Sequence, residues 1–257
     1  MIKNKIPEGW KIVKLGEVGN TYTGLSGKTK EDFGHGKAKY IPYINIFKNT
    51  FIDVSALEDI EIDEKQNSVK KGDVFFTTSS ETPEEVGMSS VLLQDVKNTY
   101  LNSFCFGYRP EKIFDSVFLA FMLRSDSVRK QFRILAQGIS RFNISKTKAM
   151  EDIFIFVPPI EEQQKIAEIL STQDKLIGLK QKLINEKKQQ KKWLMQNLLT
   201  GKIRLKGFSG QWEKVKLGEV CEMFSGGTPK SDEKAYYNGN IPFIRSAEIA
   251  SNCTVDG

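Results

Sequence analysis

The stretch W-K-I-V-K-L-G-E-V at residues 10–18 returns as W-E-K-V-K-L-G-E-V at residues 212–220, with seven of the nine positions identical. The likeness continues downstream, where I-P-Y-I at 41–44 corresponds to I-P-F-I at 241–244. The offset of 202 residues between Trp10 and Trp212 far exceeds a solenoid repeat of roughly 20–50 residues. The pattern therefore predicts two whole domains in tandem, of which the chain holds one complete copy and the opening of another.

The composition indicates a cytoplasmic protein with no membrane segment. Hydrophobic residues make up 39% of the chain, and no run approaches the ~18 apolar residues of a membrane span. The N-terminus lacks the apolar core of a signal peptide. Cys105, Cys221 and Cys253 show no close pairing, which is typical of a reducing compartment. Cys105 lies in an apolar run and is predicted to be a core residue.

The positive charge is concentrated in one segment. Residues 160–206 hold eleven Lys or Arg against five Asp or Glu, a net charge of +6 that equals the formal charge of the whole chain. The remainder is therefore neutral. This distribution indicates a basic helix beside a charge-balanced globular domain. The lysines of that helix are interpreted as a solvent-exposed face; a DNA-binding surface is the alternative.

Residues 1–157 are predicted to form a mixed α/β domain. Alternating or β-branched runs indicate strands at 40–46, 73–78, 89–93, 101–108 and 152–157. A helical pattern covers 116–136, and Asp115 or Ser116 is expected to cap its start.

Residues 158–206 are predicted to form a long coiled-coil-type helix. Pro158-Pro159 ends the last strand, and apolar pairs then recur every seven residues. A helix of about forty residues would be roughly 60 Å long, and a sustained heptad stripe requires a partner helix. We call this stripe the apolar seam; its residues are Ile169, Leu170, Leu176, Ile177, Leu183, Ile184, Leu194 and Leu198. A single packed surface helix is the alternative.

Residues 207–257 contain the start of the second domain. About fifty residues cannot bury the core of an α/β domain. We expect this segment to be poorly ordered or to depend on a partner.

The sequence shows no set of catalytic or metal-binding residues. Gly24-Leu25-Ser26-Gly27-Lys28-Thr29 is similar to the end of a phosphate-binding loop, but Tyr22 stands where that motif requires glycine. His35 is the single histidine, which excludes most histidine-based triads and any multi-histidine metal site. The chain is therefore interpreted as a binding protein.

Three motifs together resemble the specificity subunit of Type I restriction-modification systems. They are the repeated opening P-E-G-W at 7–10 followed by V-K-L-G-E-V, the junction V-P-P-I-E-E-Q-Q-K-I-A-E-I-L at 157–170, and the exit L-M-Q-N-L-L-T-G-K-I-R at 194–204. The second opening adds G-G-T-P-K at 226–230 and I-P-F-I-R at 241–245. With the repeat, these motifs cover nearly the whole chain.

The resemblance implies a non-catalytic, DNA-binding subunit with two target-recognition domains. Each domain reads half of a gapped site in double-stranded DNA, and two antiparallel helices set the gap. The helices also dock methyltransferase subunits, which bind S-adenosylmethionine and flip out an adenine. Separate motor-nuclease subunits use ATP and Mg²⁺. The resemblance therefore implies no cofactor or metal bound by this chain.

The chain departs from that pattern because most of the second recognition domain and the second helix are missing. It is interpreted either as an inactive truncated product or as a half-subunit, in which two copies pair through the apolar seam. A recognition fragment of a larger fused restriction-methylation enzyme and a pure assembly protein are further alternatives. The target sequence and the helix face that meets the methyltransferase stay open.

Base contacts require polar side chains on loops, and phosphate contacts require basic groups or backbone N–H groups. Two polar loops, 24–30 and 137–148, meet this requirement, and the strand end at 77–80 is a weaker candidate. Arg141 is expected to pair with guanine and Asn143 with adenine; alternatively, Asn143 merely shapes a turn and the lysines are solvated. The candidate DNA-binding residues are Lys28, Lys30, Ser79, Ser140, Arg141, Asn143, Lys146 and Lys148.

Overall fold

The computed structural model describes residues 6–230, 232–233, 236–237, 239–240 and 244. They fall into two compact units, residues 1–186 and 187–257. The second-copy residues 241–243 and 245, and Cys253, lie outside the described residues. Between Gly207 and Lys230 nearly every side chain is exposed, so this described part of the second copy has no core of its own.

The elements confirm the predicted mixed α/β class. The strands are β1 Lys11–Lys14, β2 Gly19–Thr23, β3 Phe33–Ile41, β4 Glu58–Ile60, β5 Val74–Thr77, β6 Ser79–Ser80, β7 Ser89–Val91, β8 Thr99–Leu101, β9 Cys105–Pro110, β10 Phe142–Asn143 and β11 Phe154–Val157. The helices are α1 Tyr43–Lys48, α2 Ser116–Arg124, α3 Asp126–Leu135, α4 Lys146–Asp152, α5 Ile160–Leu198 and α6 Leu217–Val220.

The first unit is built around an antiparallel sheet with strand order β2-β9-β5-β7. A second sheet has the order β4-β3-β8, in which β3 and β8 run parallel. The main core includes Val74 and Phe76 of β5 and Leu119 and Phe132 of α2 and α3. Cys105 is 3% exposed and belongs to a neighbouring cluster, which confirms it as a core residue.

The repeated opening forms the edge of the first domain. Strand β1 pairs antiparallel with β11, so that Lys11 faces Val157. Leu15 follows β1, is fully buried, and its carbonyl oxygen accepts a hydrogen bond of 2.9 Å from the Tyr108 hydroxyl. In both copies a glutamate accepts from a lysine backbone N–H, at 2.9 Å for Glu17 and 3.2 Å for Glu219. This one contact at the start of a short helix therefore recurs in both copies, whereas Leu217, the counterpart of the buried Leu15, is exposed.

Two predicted elements were wrong in type or extent. The predicted strand 40–46 ends at Ile41, and α1 begins after Pro42, since a short apolar run fits a strand or a buried helix equally well. The predicted strand 101–108 is divided by a turn at residues 102–104 into β8 and β9. The predicted strands at 73–78 and 89–93 are confirmed within two residues at each end.

The helical region at 116–136 contains two helices instead of one. Asp115 caps α2 by accepting from the backbone N–H groups of Val117 and Phe118, which confirms the expected cap. Ser125 is extended, with φ −65° and ψ 152°, and separates α2 from α3. The predicted loop 137–148 also holds structure, because β10 lies within it and Ser145 caps α4.

The long helix α5 is confirmed and spans 39 residues. Gln163 is fully buried at its start: its amide nitrogen donates to the carbonyls of Ile113 and Pro158, and its oxygen accepts from the Asp115 N–H. Trp10 Nε1 donates to Glu162 Oε2 at 3.1 Å. The junction motif therefore attaches α5 to the first domain through specific hydrogen bonds.

Candidate nucleic-acid interface

A two-stranded pairing brings two of the predicted polar segments together. Strands β6 and β10 run antiparallel, with Asn143 opposite Ser79 and Phe142 opposite Ser80. The Ile144 N–H extends the pairing by donating to the Thr78 carbonyl at 3.0 Å. Residues 78–80 and 142–144, which belong to two segments predicted independently, thus lie side by side.

The loop between α3 and β10 presents Ser140 and Arg141 at an exposed tip. Its base is closed by two backbone hydrogen bonds between Gln137 and Asn143, of 2.9 and 2.8 Å. Gly138 has φ +141°, and a Cβ at this position would lie 2.0 Å from the Arg141 carbonyl oxygen. Glycine is therefore required for the loop to close, and the closed base fixes the position of the tip.

Arg141 lines a cleft of about 380 Å³ that we call the recognition cleft. Its lining residues are Tyr43, Ile44, Phe47, Ser79, Ser80, Glu81, Glu85, Phe104 and Arg141. The rings of Tyr43 and Phe47 stack with centroids 5.9 Å apart. The Tyr43 hydroxyl donates to the Ser79 carbonyl at 2.6 Å, and burial raises the pKa of Tyr43. This hydrogen bond holds α1 against β6.

Two half-buried arginines fix the walls of the recognition cleft. Arg124 donates to the carbonyls of Ile46, Phe47 and Asn49, which end α1. Arg129 donates to the carbonyls of Glu84, Val86 and Gly87, in the loop that follows β6. Burial lowers the pKa of Arg129 to about 10, so its guanidinium remains charged at neutral pH.

Sequence reasoning missed both arginines as determinants of the cleft. In the sequence, each arginine appears only as a basic residue next to the apolar positions of an amphipathic helical pattern. Their roles depend on contacts across 42 to 78 residues of chain, which that pattern does not reveal.

The structure places Lys28 in an ion-paired cluster. Its ammonium lies 2.9 Å from Asp63 and 3.8 Å from Asp32, and the hydrogen bond to Asp63 raises the pKa of Lys28. The same bond, with one from Gln66, holds the pKa of Asp63 at about 2. Lys30 is exposed in the first position of a short 3₁₀ helix, Lys30–Asp32. Neither lysine lines the recognition cleft.

Ser79, Lys146 and Lys148 occupy different environments. Ser79 is only 8% exposed, so its place is in the cleft wall. Lys146 and Lys148 lie in the first turn of α4, and Lys146 lines a separate cleft with Lys14, Glu17 and Thr21. The structure therefore brings Ser79, Ser140, Arg141 and Asn143 together and places the two α4 lysines on an adjoining segment.

The apolar seam of α5 is open to solvent. Within the first unit, Leu170 is 38% exposed and Ile177 is 64% exposed, and the other seam residues of that unit lie between these values. Leu194, in the second unit, is 39% exposed, and Leu198 is half-buried. No second long helix lies among the described residues.

Among the residues that the structure describes, no group of three or more His, Cys, Asp or Glu side chains is arranged to hold a metal ion. Within the same residues, no helix has the length and apolar character to cross a membrane.

Comparison with known proteins identifies the family. The family model described as Type I restriction modification DNA specificity domain matches residues 7–189 and 209–257. The chain is 28% identical to the putative type I restriction enzyme MjaX specificity subunit of Methanocaldococcus jannaschii, over 94% of this chain and 60% of the relative. It is 33% identical to the MjaVIII specificity subunit of the same organism, over 80% of this chain and 49% of the relative. The chain thus spans at most about three fifths of the length of these curated relatives.

Solved structures share the fold. The HsdS subunit from Thermoanaerobacter tengcongensis superposes with a TM-score of 0.51 and 20% identity, covering 70% of this chain and 41% of that one. The Type I S subunit from M. genitalium gives a TM-score of 0.51 at 17% identity, covering 91% of this chain and 58% of that one. With the match of the family model over most of its length, the chain belongs to the family of Type I restriction-modification DNA specificity domains.

Proposed function

We propose that this chain is a DNA-recognition component of a Type I restriction-modification complex. Its first domain reads one half of a gapped site in double-stranded DNA and directs methyltransferase and motor-nuclease subunits to it. The observation that carries this proposal is the pairing of β6 with β10, which sets Arg141 and Asn143 at one exposed edge beside a cleft. Family membership supports the same conclusion.

The proposed contacts follow from side-chain chemistry. Arg141 donates two hydrogen bonds to a guanine, and Asn143 forms a bidentate pair with an adenine. Ser140, Lys30, Lys146 and Lys148 contact the DNA backbone, because their polar groups are available at the surface. Lys28 is left out of this interface, since two carboxylates already neutralise its ammonium.

The proposed division of labour leaves the chemistry to other subunits. Methyltransferase subunits bind S-adenosylmethionine and motor-nuclease subunits use ATP and Mg²⁺, while this chain recognises the DNA sequence. We propose that helix α5 provides their docking surface on the residues outside the apolar seam, for which its length of 39 residues is the support.

We further propose that two copies of the chain pair through their apolar seams in antiparallel orientation. The seven-residue spacing of the seam is typical of helix pairs, and a two-fold dimer forms a closed assembly. Such a dimer would present two identical recognition domains and would read a gapped palindrome.

The test is methylome sequencing of a host that expresses the 257-residue chain with the methyltransferase subunit of its system. A new gapped adenine-methylation motif is expected, and a palindromic motif would support the paired form. Absence of any new motif, with both proteins present and folded, would contradict the proposed function. A non-palindromic motif would support the proposed DNA recognition but exclude the symmetric dimer.

A further inference from the structure

Phe104 is a large apolar side chain exposed at the recognition cleft. Its ring is 59% exposed, and Ile44, which lines the same cleft, is 49% exposed. Exposed apolar groups clustered at a concave surface mark a place where another molecule covers them. Sequence reasoning selected neither residue as a DNA contact, because both fell within predicted strands, at 40–46 and 101–108.

The turn that carries Phe104 is rigidly held. The Phe104 N–H donates to Asn102 Oδ1 at 2.8 Å. Its carbonyl oxygen accepts from the Thr78 N–H at 3.0 Å and from the Thr78 hydroxyl at 2.8 Å. Thr78 directly precedes β6, so the same segment that pairs with β10 also positions Phe104. Because the backbone that carries the ring is already ordered, little backbone entropy is lost when a partner covers Phe104.

The charges around Phe104 indicate which part of DNA enters the cleft. Glu81 and Glu85 line it and repel phosphate groups. Arg141 lines it as well and supplies donors that suit a guanine edge. The combination of donors, acceptors and exposed apolar surface matches the edges of base pairs in the major groove, where thymine alone presents a methyl group.

We propose that Phe104, together with Ile44 on the same cleft, contacts the C5 methyl group of a thymine in the half-site, close to the base contacted by Arg141. Phe104 is then a specificity-determining residue for one T·A pair. This inference rests on the proposed function of the chain as a DNA reader.

The test uses the full chain with its methyltransferase subunit and two libraries of duplex DNA that are randomised at the same positions. One library contains thymine and the other uracil, which differs by the absent methyl group alone. Selection with the wild-type chain on the thymine library defines the motif. We expect a uracil at one position of that motif to weaken binding about fourfold, which is the effect of burying one methyl-sized group.

The variants separate a methyl contact from general packing. Phe104→Ala is expected to reduce the difference between thymine and uracil at that position to the part that Ile44 supplies, while Phe104→Leu retains it. Phe154→Ala is the matched control, because Phe154 is 41% exposed and does not line the cleft; it should leave the thymine preference unchanged. Melting curves of all variants verify folding.

Each outcome has a defined meaning. A wild-type chain that selects no motif at all contradicts the proposed DNA recognition itself. A clear motif with equal binding to thymine and uracil overturns the inference about Phe104 alone. If Phe104→Ala weakens binding to the thymine and uracil duplexes equally, the inference about Phe104 is also overturned. A ring inserted between base pairs would contribute to both duplexes alike.

Discussion

Arg141 lies at the tip of a loop whose backbone is fixed independently of the arginine side chain. Truncation should therefore remove base contacts without unfolding the domain. We predict that Arg141→Ala weakens binding to the cognate site by about 1–3 kcal/mol and relaxes specificity at one position. Fluorescence anisotropy with cognate and scrambled duplexes measures the change. Unaltered discrimination between the two duplexes would remove this loop from the interface.

Lys28 has a structural role, and the pH dependence of the free energy of unfolding tests this role independently of DNA binding. Because Asp63 has a pKa of about 2 in the folded protein, its pairing with Lys28 stabilises the fold above the unfolded pKa of about 4. This contribution disappears as the pH falls through about 2. We predict that Lys28→Met lowers the free energy of unfolding at pH 7 and that the difference from wild type shrinks towards pH 2.

Urea unfolding at pH 7, 4 and 2.5 tests the role of Lys28. Lys30→Met serves as the control, since Lys30 is exposed and has no ion pair among the described residues; it should leave stability unchanged at every pH. A constant deficit of Lys28→Met across this range would exclude the ion pair with Asp63 as the source of stability.

At the scale of elements, the junction of α5 with the domain depends on Gln163. We predict that Gln163→Leu destabilises the first domain by at least about 2 kcal/mol, because each buried group left without a partner costs about 1–3 kcal/mol. Gln164→Leu is the matched control, because Gln164 is the next residue of the helix and its side chain is exposed. Thermal and urea unfolding compare the two. Equal stability of both variants would show that the hydrogen bonds of Gln163 contribute little.

The long elements were predictable and the short ones were not. Helix α5 follows from a heptad pattern over nearly forty residues, and β5 from a run of apolar residues after Gly72. Helix α1 was mistaken for a strand because six residues hold too little periodicity to decide. The break at Ser125 depends on packing of α2 and α3 against the sheet, which local sequence does not encode.

The candidate site was predictable in its chemistry but not in its assembly. Arg141 and Asn143 were found as polar residues of one loop, and the structure pairs that loop with β6. Phe104, Arg124 and Arg129 join the site through contacts between segments far apart in sequence. Lys28 was selected as a basic residue of the glycine-containing loop 24–30, and only the folded structure reveals its two carboxylate partners.

At the scale of the whole molecule, the open apolar seam is the surface through which we propose that two copies pair. We predict a dimer at micromolar concentration, measured by light scattering, because the exposed leucines and isoleucines of α5 gain burial when paired. The double variant Leu183→Glu/Ile184→Glu should be monomeric. Asn185→Glu/Gln189→Glu introduces the same charge on the opposite helix face, at about 100° per residue, and should remain dimeric. Monomers alone for the wild-type chain would exclude the self-paired form.

The closed base of the loop at 137–143 has a consequence for how such proteins diversify. Its shape depends on backbone hydrogen bonds and on Gly138, and these are indifferent to the side chains at Ser140 and Arg141. Mutations at the tip can therefore accumulate without a penalty in folding. Under the proposed role in DNA reading, the sequence specificity of the chain can then evolve by single substitutions at Ser140 or Arg141 that leave the backbone of the loop unchanged.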